Sequence, residues 1–236
     1  MSSIVHTMAF GSGTGTQLYN PDNISGVWNL TLDWTPTPGN TLILALALPG
    51  SQIIDFISYG ETGLDLGYAQ GPIFVFTCTV PEYPGSTIGA IGEVFNCPGF
   101  VQEVSGISDN TPDRKSNGSG GPTTSYDTGS TLTTRNASEY WLNVYAYYNA
   151  STGADCQGSA PSNGYTLNYG GSPITGTMAG WVPTIEYSAA APTYSYGMVF
   201  AHKFVSCEAN AGGTITDSNE NENYYAAGAI TWATSS

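Results

Sequence analysis

The chain has 236 residues, of which 40% are apolar, enough to bury a substantial core and to exclude a purely solvating tail. Eighteen acidic residues against four basic ones give a formal net charge of -14. This shortage of Lys and Arg argues against polyanionic partners, namely nucleic acids and anionic membrane surfaces. Neutral glycans, basic protein surfaces, metal cations and further copies of the chain remain compatible partners.

Strand-like segments recur along the whole chain, and no long helical pattern is visible. Residues 4–10 alternate so that Ile4, His6, Met8 and Phe10 fall on one strand face. Residues 28–34 alternate between apolar and polar side chains, and residues 41–48 are almost continuously apolar. Alternation is typical of a half-buried strand, whereas a continuous apolar run is typical of a strand covered on both faces. Further strands are predicted at residues 53–59, 73–80, 88–95, 100–104, 140–148, 165–169, 182–187, 194–206, 213–216 and 224–233.

This pattern of short strands separated by Gly, Pro and Asn turns predicts an all-β fold. We expect an antiparallel two-sheet β-sandwich, jelly-roll or Ig-like, with long loops. Residues 108–130 are rich in Gly, Pro, Ser and Thr, so they are predicted to form a long loop and a candidate subdomain border. No fixed-period repeat is visible, and we therefore expect a single sandwich domain over residues 1–236.

The chain has four cysteines: Cys78, Cys97, Cys156 and Cys207. No two of them are spaced as C-x-x-C, which excludes the common zinc and redox motifs. Cys78 and Cys97 lie on successive strand-like segments. This predicts a Cys78–Cys97 disulfide, with Cys156–Cys207 as the second bridge. The alternative is four buried free thiols, as expected in a reducing cytosol.

The two histidines, His6 and His202, both lie on predicted apolar strand faces. They are expected to be hydrogen-bonded core or interface residues, and the alternative is a metal site or a general base.

The carboxylates show no spacing typical of a glycosidase acid and nucleophile pair. This holds for Glu61 and Asp65 in a Gly-rich turn and for Glu103, Glu186 and Glu208 in or beside strands. No catalytic residue is therefore predicted, and the chain is predicted not to be an enzyme.

The segment with Asp217, Asn219 and Asn221 alternates oxygen ligands like a calcium-binding loop. Its sixth position is Glu222 instead of glycine and its twelfth is Gly228 instead of a bidentate glutamate, which excludes an EF-hand. The alternatives are a looser calcium site formed by these three residues and a solvated turn. No other cofactor is predicted.

Two groups of residues are candidates for contacts with a partner. Exposed tyrosines on strands would stack on sugars or form a rigid protein interface, whereas buried ones would belong to the core. Arg114 and Lys115 are neighbours in the predicted loop, where they would either dock on an acidic patch of a second copy or lie in solvent. The tyrosines predicted as interface or glycan contacts are Tyr145, Tyr147, Tyr194, Tyr196 and Tyr224.

Five segments carry a resemblance to known proteins. They are residues 39–44 after a turn, Glu103-Val104-Ser105-Gly106 with Ile107, the polar stretch around Asp113, the strand from Tyr140, and residues 211–216 with 229–232. In this order they resemble a widespread, poorly characterised β-sandwich module encoded in phage genomes and bacterial surface proteins. The resemblance implies an Ig-like or jelly-roll-like sandwich in structural, adhesive or tail-associated proteins, and it carries no catalytic residues.

The start of the chain, MSSIVHTMAFGSG, has no signal-peptide pattern, although the composition is typical of extracellular proteins. A virion protein assembled in the host cytoplasm reconciles these observations, as would a shortened N-terminus or a non-classical secretion route. We therefore expect an acidic, homo-oligomeric, non-enzymatic phage structural protein that contacts other virion proteins, as a capsid decoration (cement) or a tail or fibre component. Its expected location is the virion or an extracellular surface.

Two other functions are weighed against this one. The first alternative is a glycan-binding adhesin or carbohydrate-binding module, and the second is a secreted carbohydrate-active enzyme. An assembly protein should expose apolar patches, an adhesin a tyrosine-lined groove, and an enzyme two carboxylates that converge in a cleft.

Overall fold

The computed structural model describes residues 2–10, 27–48, 54–92, 99–149, 166–169, 172–173, 181–188, 195–206, 208, 210–216 and 223–235. Within these ranges the regular secondary structure consists of β-strands, and every strand pair is antiparallel. The predicted all-β, antiparallel sandwich fold is confirmed. In the described part of the chain, no helix is long and apolar enough to cross a lipid bilayer.

The strands fall into two sets of nine. The first set is β1 (Ser3–Phe10), β2 (Val27–Thr31), β3 (Thr41–Ala47), β4 (Ile54–Tyr59), β5 (Thr62–Gly63), β6 (Asp65–Gln70), β7 (Ile73–Thr79), β8 (Thr87–Gly92) and β9 (Gly99–Ser105). The second set is β10 (Arg114–Thr123), β11 (Ser125–Thr133), β12 (Glu139–Asn149), β13 (Thr166–Tyr169), β14 (Ser172–Pro173), β15 (Trp181–Ser188), β16 (Ser195–Val205), β17 (Asn210–Thr216) and β18 (Asn223–Ala233).

Each set forms two sheets, and the strand order of the first set is repeated in the second. The first inner sheet has the order β1-β9-β3-β7-β6 and the first outer sheet β2-β8-β4-β5. The second inner sheet has the order β10-β18-β12-β16-β15 and the second outer sheet β11-β17-β13-β14. Adding nine to every strand number of the first set gives the second set. The two-sheet sandwich therefore occurs twice, as a tandem jelly-roll in which β6 and β15 are additional edge strands.

The four sheets stack in the order first outer, first inner, second inner, second outer. Three apolar cores lie between successive layers because each inner sheet is apolar on both faces. The core between the first outer and first inner sheets includes Leu30 and Leu44, the core between the inner sheets includes Val75 and Leu142, and the core of the second sandwich includes Tyr145 and Ile215.

Strand β3 shows how the sequence produces a strand covered on both faces. All its residues are buried. Leu42 and Leu44 face the first outer sheet, whereas Ile43 and Ala45 face the second inner sheet. The prediction made from the apolar run 41–48 is confirmed.

The two halves share the core between the inner sheets, and one side chain in particular crosses this boundary. The hydroxyl of Tyr68 donates to the carbonyl oxygens of Ser116, at 3.2 Å, and Ala227, at 3.0 Å. A Cβ atom added to Gly228 would lie 2.1 Å from the Tyr68 hydroxyl oxygen, so glycine is required there. The halves therefore interlock through close backbone approach as well as through apolar contact.

The predicted loop at residues 108–130 is wrong, since most of it forms β10 and β11. Gly118 and Gly129 are required by close packing between these strands: a Cβ on Gly118 would lie 1.7 Å from the backbone oxygen of Asp127, and one on Gly129 would lie 2.9 Å from that of Asn117. The change from the first to the second set of sheets lies between β9 and β10, at the start of the predicted subdomain border.

Candidate functional site

A polar cleft of about 300 Å³ opens on the outward face of the second outer sheet. Asp127, Ser130 and Asn210 are exposed at its rim, whereas Gly212 and Gly213 are buried. The neighbouring Tyr126 and Ile215 point inward into the core, so strand alternation turns the rim side chains toward solvent. Its lining residues are Asp127, Gly129, Ser130, Asn210, Gly212, Gly213 and Thr214.

The pairing of β11 with β17 is irregular where the cleft lies. The register shifts between Asp127 and Ser130 and again between Ser130 and Thr133. The hydroxyl oxygen of Thr128 accepts the Gly213 N–H at 2.8 Å, and that of Thr131 accepts the Ala211 N–H at 2.8 Å. Threonine side chains thus replace backbone acceptors, so β17 remains hydrogen-bonded although the ladder is interrupted.

Two rim side chains are held in place by hydrogen bonds within the sheet. Asp127 Oδ1 accepts the Gly129 N–H at 2.9 Å, and Asn210 Oδ1 accepts the Thr133 hydroxyl at 2.8 Å. The second carboxylate oxygen of Asp127 is an acceptor, and the amide nitrogen of Asn210 carries two donors. The cleft is therefore lined by an oriented acceptor at Asp127 and oriented donors at Asn210.

His202 lies in a buried polar network between the two inner sheets. Its Nδ1 is 3.2 Å from Gln102 Nε2, while the Tyr140 hydroxyl donates to Gln102 Oε1. Burial lowers the pKa of His202 to about 4, so the ring is neutral at pH 7. The prediction that His202 is a hydrogen-bonded core residue is confirmed.

His6 is exposed, so the predicted core position is wrong, whereas a position at an interface stays a prediction. The register of β1 against β9 shifts between Ile4 and His6, which breaks the alternation assumed from the sequence. Its ring stacks on Trp34 at 5.1 Å between ring centroids.

The carboxylates singled out from the sequence occupy different environments. Glu103 is fully buried and accepts hydrogen bonds from Trp34 Nε1 at 2.7 Å and from the Thr37 N–H at 2.9 Å, so it stabilises a turn. Glu61, Asp65 and Glu208 are exposed. Glu186 lies on β15, and its side chain is outside the described part of the structure.

Sequence analysis missed a carboxyl pair formed by Asp113 and Glu139. Glu139 is fully buried and accepts a hydrogen bond from Trp141 Nε1 at 2.9 Å, and the Asp113 side chain is 8% exposed. Burial raises the pKa of Glu139, and its hydrogen bond and charge repulsion with Asp113 raise it further. The two residues are 26 positions apart in the numbering, so no sequence spacing indicates the pair.

The tyrosine predictions are wrong for the two central candidates. Tyr145 is 0% and Tyr147 is 1% exposed, because β12 lies in a sheet covered on both faces and both alternating sets are buried. Tyr224, at the start of β18, is 39% exposed and keeps its candidate role. Tyr194 and the side chain of Tyr196 lie outside the described residues.

Arg114 and Lys115 lie on strand β10 and not at a loop tip. Arg114 Nε donates to the backbone oxygen of Thr133 at 3.0 Å, which ties β10 to β11. Lys115 is exposed. Contact with an acidic patch of a second copy therefore remains a prediction for Lys115, whereas Arg114 has a partner within the chain.

Cys78 carries a free thiol, so the predicted Cys78–Cys97 disulfide is wrong. The side chain is 3% exposed in the core between the first outer and first inner sheets, where a thiol packs as a small apolar group. Burial raises its pKa to about 12. The residues Cys97, Cys156 and Cys207 lie outside the described part of the chain.

The calcium candidates Asp217, Asn219 and Asn221 also lie outside the described part of the chain. Among the described residues, no group of three or more His, Cys, Asp or Glu side chains is placed to hold a metal ion.

Comparison with known proteins gives no family. No protein family and no curated protein matches the chain. Among solved structures, a conserved protein of unknown function from Pseudomonas aeruginosa PAO1 aligns over 100% of both chains with 8% identity and a TM-score of 0.25. We draw no conclusion from so low a similarity, and the resemblance to phage and bacterial surface modules stays a prediction.

Proposed function

We propose that this chain is a non-enzymatic structural protein of a virus particle, a capsid decoration or a tail or fibre component that contacts other subunits. The observation that carries the proposal is an apolar pair on the open face of the first outer sheet. Phe56 and Ile91 are direct cross-strand partners and are 51% and 48% exposed. Because Ile57 and Tyr59 point into the core, alternation along β4 directs Phe56 outward.

The surroundings of this pair favour a protein contact. In a chain with a net charge of -14, a face that carries little charge allows another acidic subunit to approach with little repulsion, with Asp55 as the exposed carboxylate beside Phe56. Cross-strand pairs lie about 5 Å apart between Cβ atoms, so the two side chains form one continuous apolar surface. Five uncharged residues share this face: Asn29, Thr31, Ser58, Thr87 and Gly89.

The alternative functions have less support from the described residues. A tyrosine-lined groove is not formed by Tyr145 and Tyr147, which are buried. The Asp113 and Glu139 carboxyl groups approach each other, but Glu139 is fully buried and lies in no open cleft. The stacked sandwiches, with their shared core, favour a rigid building block.

The experiment is a comparison of self-association and particle binding for matched variants. We expect the full chain to associate with concentration in sedimentation equilibrium, and to decorate particles from its source in immunogold electron microscopy. Phe56→Ser and Ile91→Thr remove the apolar pair and should reduce both signals. The control is Leu132→Ser, which removes a side chain that is 73% exposed on the second outer sheet.

Two results would overturn the proposal. One is an unsubstituted chain that stays monomeric at all concentrations and is absent from particles. The other is an equal loss of association in the Leu132→Ser control, since the contact would then not depend on the first outer sheet.

A further inference from the structure

The tandem repeat supplies an internal reference for the cleft. Strands β2 and β8 of the first half correspond to β11 and β17 of the second, because both pairs occupy the same place in the strand order. The β2–β8 register is continuous from Val27 opposite Ile91 to Thr31 opposite Thr87. The β11–β17 register shifts twice. This strand pair therefore forms in the fold without register shifts, so the shifts in the second copy are a local feature of β11 and β17.

The irregular stretch is built with glycines where the backbones approach closely. Gly129 has φ +68°, and an added Cβ there would lie 2.9 Å from the backbone oxygen of Asn117. A Cβ on Gly212 would lie 2.4 Å from the backbone oxygen of Gly129. The glycines allow the backbones of β10, β11 and β17 to approach closely, and at positions 129, 212 and 213 the cleft is lined by backbone atoms.

The chemistry of the lining residues selects one class of ligand. The seven residues include no Lys or Arg to bind an anion and no apolar side chain to bind a lipid or an aromatic ring. They include a single carboxylate, whereas calcium sites commonly combine several charged oxygen ligands. A volume of about 300 Å³ matches the small end of ligand pockets and exceeds the space of one ion.

We propose that this cleft binds one ring of a neutral sugar. Hydroxyl groups at one end of the sugar ring donate to the second carboxylate oxygen of Asp127, in charge-assisted hydrogen bonds, and those at the other end accept from the amide of Asn210. Thr214 supplies a hydroxyl group that acts as donor or acceptor, and Ser130, whose hydroxyl donates to the Thr131 carbonyl oxygen at 3.4 Å, supplies an acceptor. This inference does not depend on the assembly role, because the cleft and the Phe56–Ile91 pair lie on different outer sheets.

The expected affinity for a single ring is weak. Small ligands gain little binding free energy per atom, and no aromatic side chain lines the cleft for stacking, so we expect a dissociation constant of about 1 mM. Several copies on one particle would strengthen attachment to a surface that displays many such sugars.

The test is a titration of the full chain followed by amide chemical shifts in NMR spectra. The probes are the methyl glycosides of glucose, galactose, mannose and N-acetylglucosamine, each in calcium-free buffer. At least one should shift the amides of Gly129, Gly212 and Gly213 in a saturable way. Asp127→Asn keeps an oxygen that can accept the Gly129 N–H but removes the charge, and should weaken binding by about tenfold or more.

Two further variants test whether sugar binding depends on the net charge of the chain or on the apolar pair proposed for assembly. Asp55→Asn, on an exposed position of β4, changes the net charge equally and should leave sugar binding unchanged. Phe56→Ser should also bind the sugar like the natural chain, which distinguishes failure of this inference from failure of the assembly proposal. Asn210→Ala provides a second cleft variant.

Three results would overturn the sugar site. The first is the absence of shifts at these three glycines with all four probes. The second is equal affinity in the natural chain and in both cleft variants. The third is binding that appears only when calcium is added, which would make the cleft a cation site.

Discussion

Acidification should weaken the fold through His202. The ring is 4% exposed, and its Nδ1 accepts a hydrogen from Gln102 Nε2 because the Gln102 oxygen is occupied by the Tyr140 hydroxyl. Protonation would place a second donor at Nδ1 against the amide donor and would leave a charge in an apolar core. The folded chain therefore resists protonation at this position.

The magnitude follows from the difference between the two states. Burial lowers the pKa of His202 from 6.5 to about 4. Because the folded-state pKa is lower, the unfolded chain takes up a proton first as the pH falls. The stability is fully present above pH 6.5 and is lost progressively from there down to about pH 4. At about 1.4 kcal/mol per pH unit, the full loss is about 3 kcal/mol, of which about 2.5 kcal/mol is reached between pH 7 and pH 4.5.

The assay is urea unfolding of the natural chain and of His202→Gln at these two pH values. Other groups also change protonation as the pH falls, so only the difference between the two proteins reports on His202. We expect the natural chain to lose about 2.5 kcal/mol more than the variant. Equal losses of unfolding free energy in the two proteins would refute the reasoning. So would an NMR titration that shows the His202 imidazole to take up its proton near pH 6.5 in the folded chain.

Two further substitutions test the packing between layers. Gly228→Ala should destabilise the chain by about 1–3 kcal/mol in urea unfolding, because its Cβ would overlap the Tyr68 hydroxyl, whereas Gly85→Ala, with its nearest neighbour at 4.0 Å, should be close to neutral. Equal effects would contradict the interlock between the halves. Asn143 is fully buried and its amide has no hydrogen-bond partner, so Asn143→Leu should raise the unfolding free energy by about 1–3 kcal/mol. The control Asn40→Leu removes a donor to Glu103 and should lower the unfolding free energy. Destabilisation by both substitutions would show that Asn143 has a partner such as an internal water.

Sequence patterns predicted the fold class well because they report local burial. The run at residues 41–48 indicated a strand covered on both faces, and β3 is such a strand. The same physics explains the error at Tyr145 and Tyr147. Alternation separates two faces of a strand, but it does not reveal that a further sheet covers the second face.

Features that depend on distant backbone approach could not be predicted. The residues around Gly118 indicate a turn from sequence alone. Glycine is required there because an added Cβ atom would lie 1.7 Å from the backbone oxygen of Asp127 on β11. The cleft was missed because Asp127 and Ser130 lie in the segment predicted as a loop, and because the register shifts of β11 depend on β17, about 80 residues later. The repeat was missed because it is preserved in the strand order without a visible sequence period.

The shared core between the inner sheets also sets an order of events during synthesis. The first nine strands leave the ribosome first, and one face of their inner sheet, with Ile43, Val75 and Phe100, is apolar but has no cover until the second half emerges. At about 5–20 residues per second this interval is roughly 10 s, long enough for an apolar sheet to meet another nascent chain. Folding yield should therefore depend on translation speed and on chaperones that shield this face, and two halves expressed as separate chains should each be prone to aggregation until they meet.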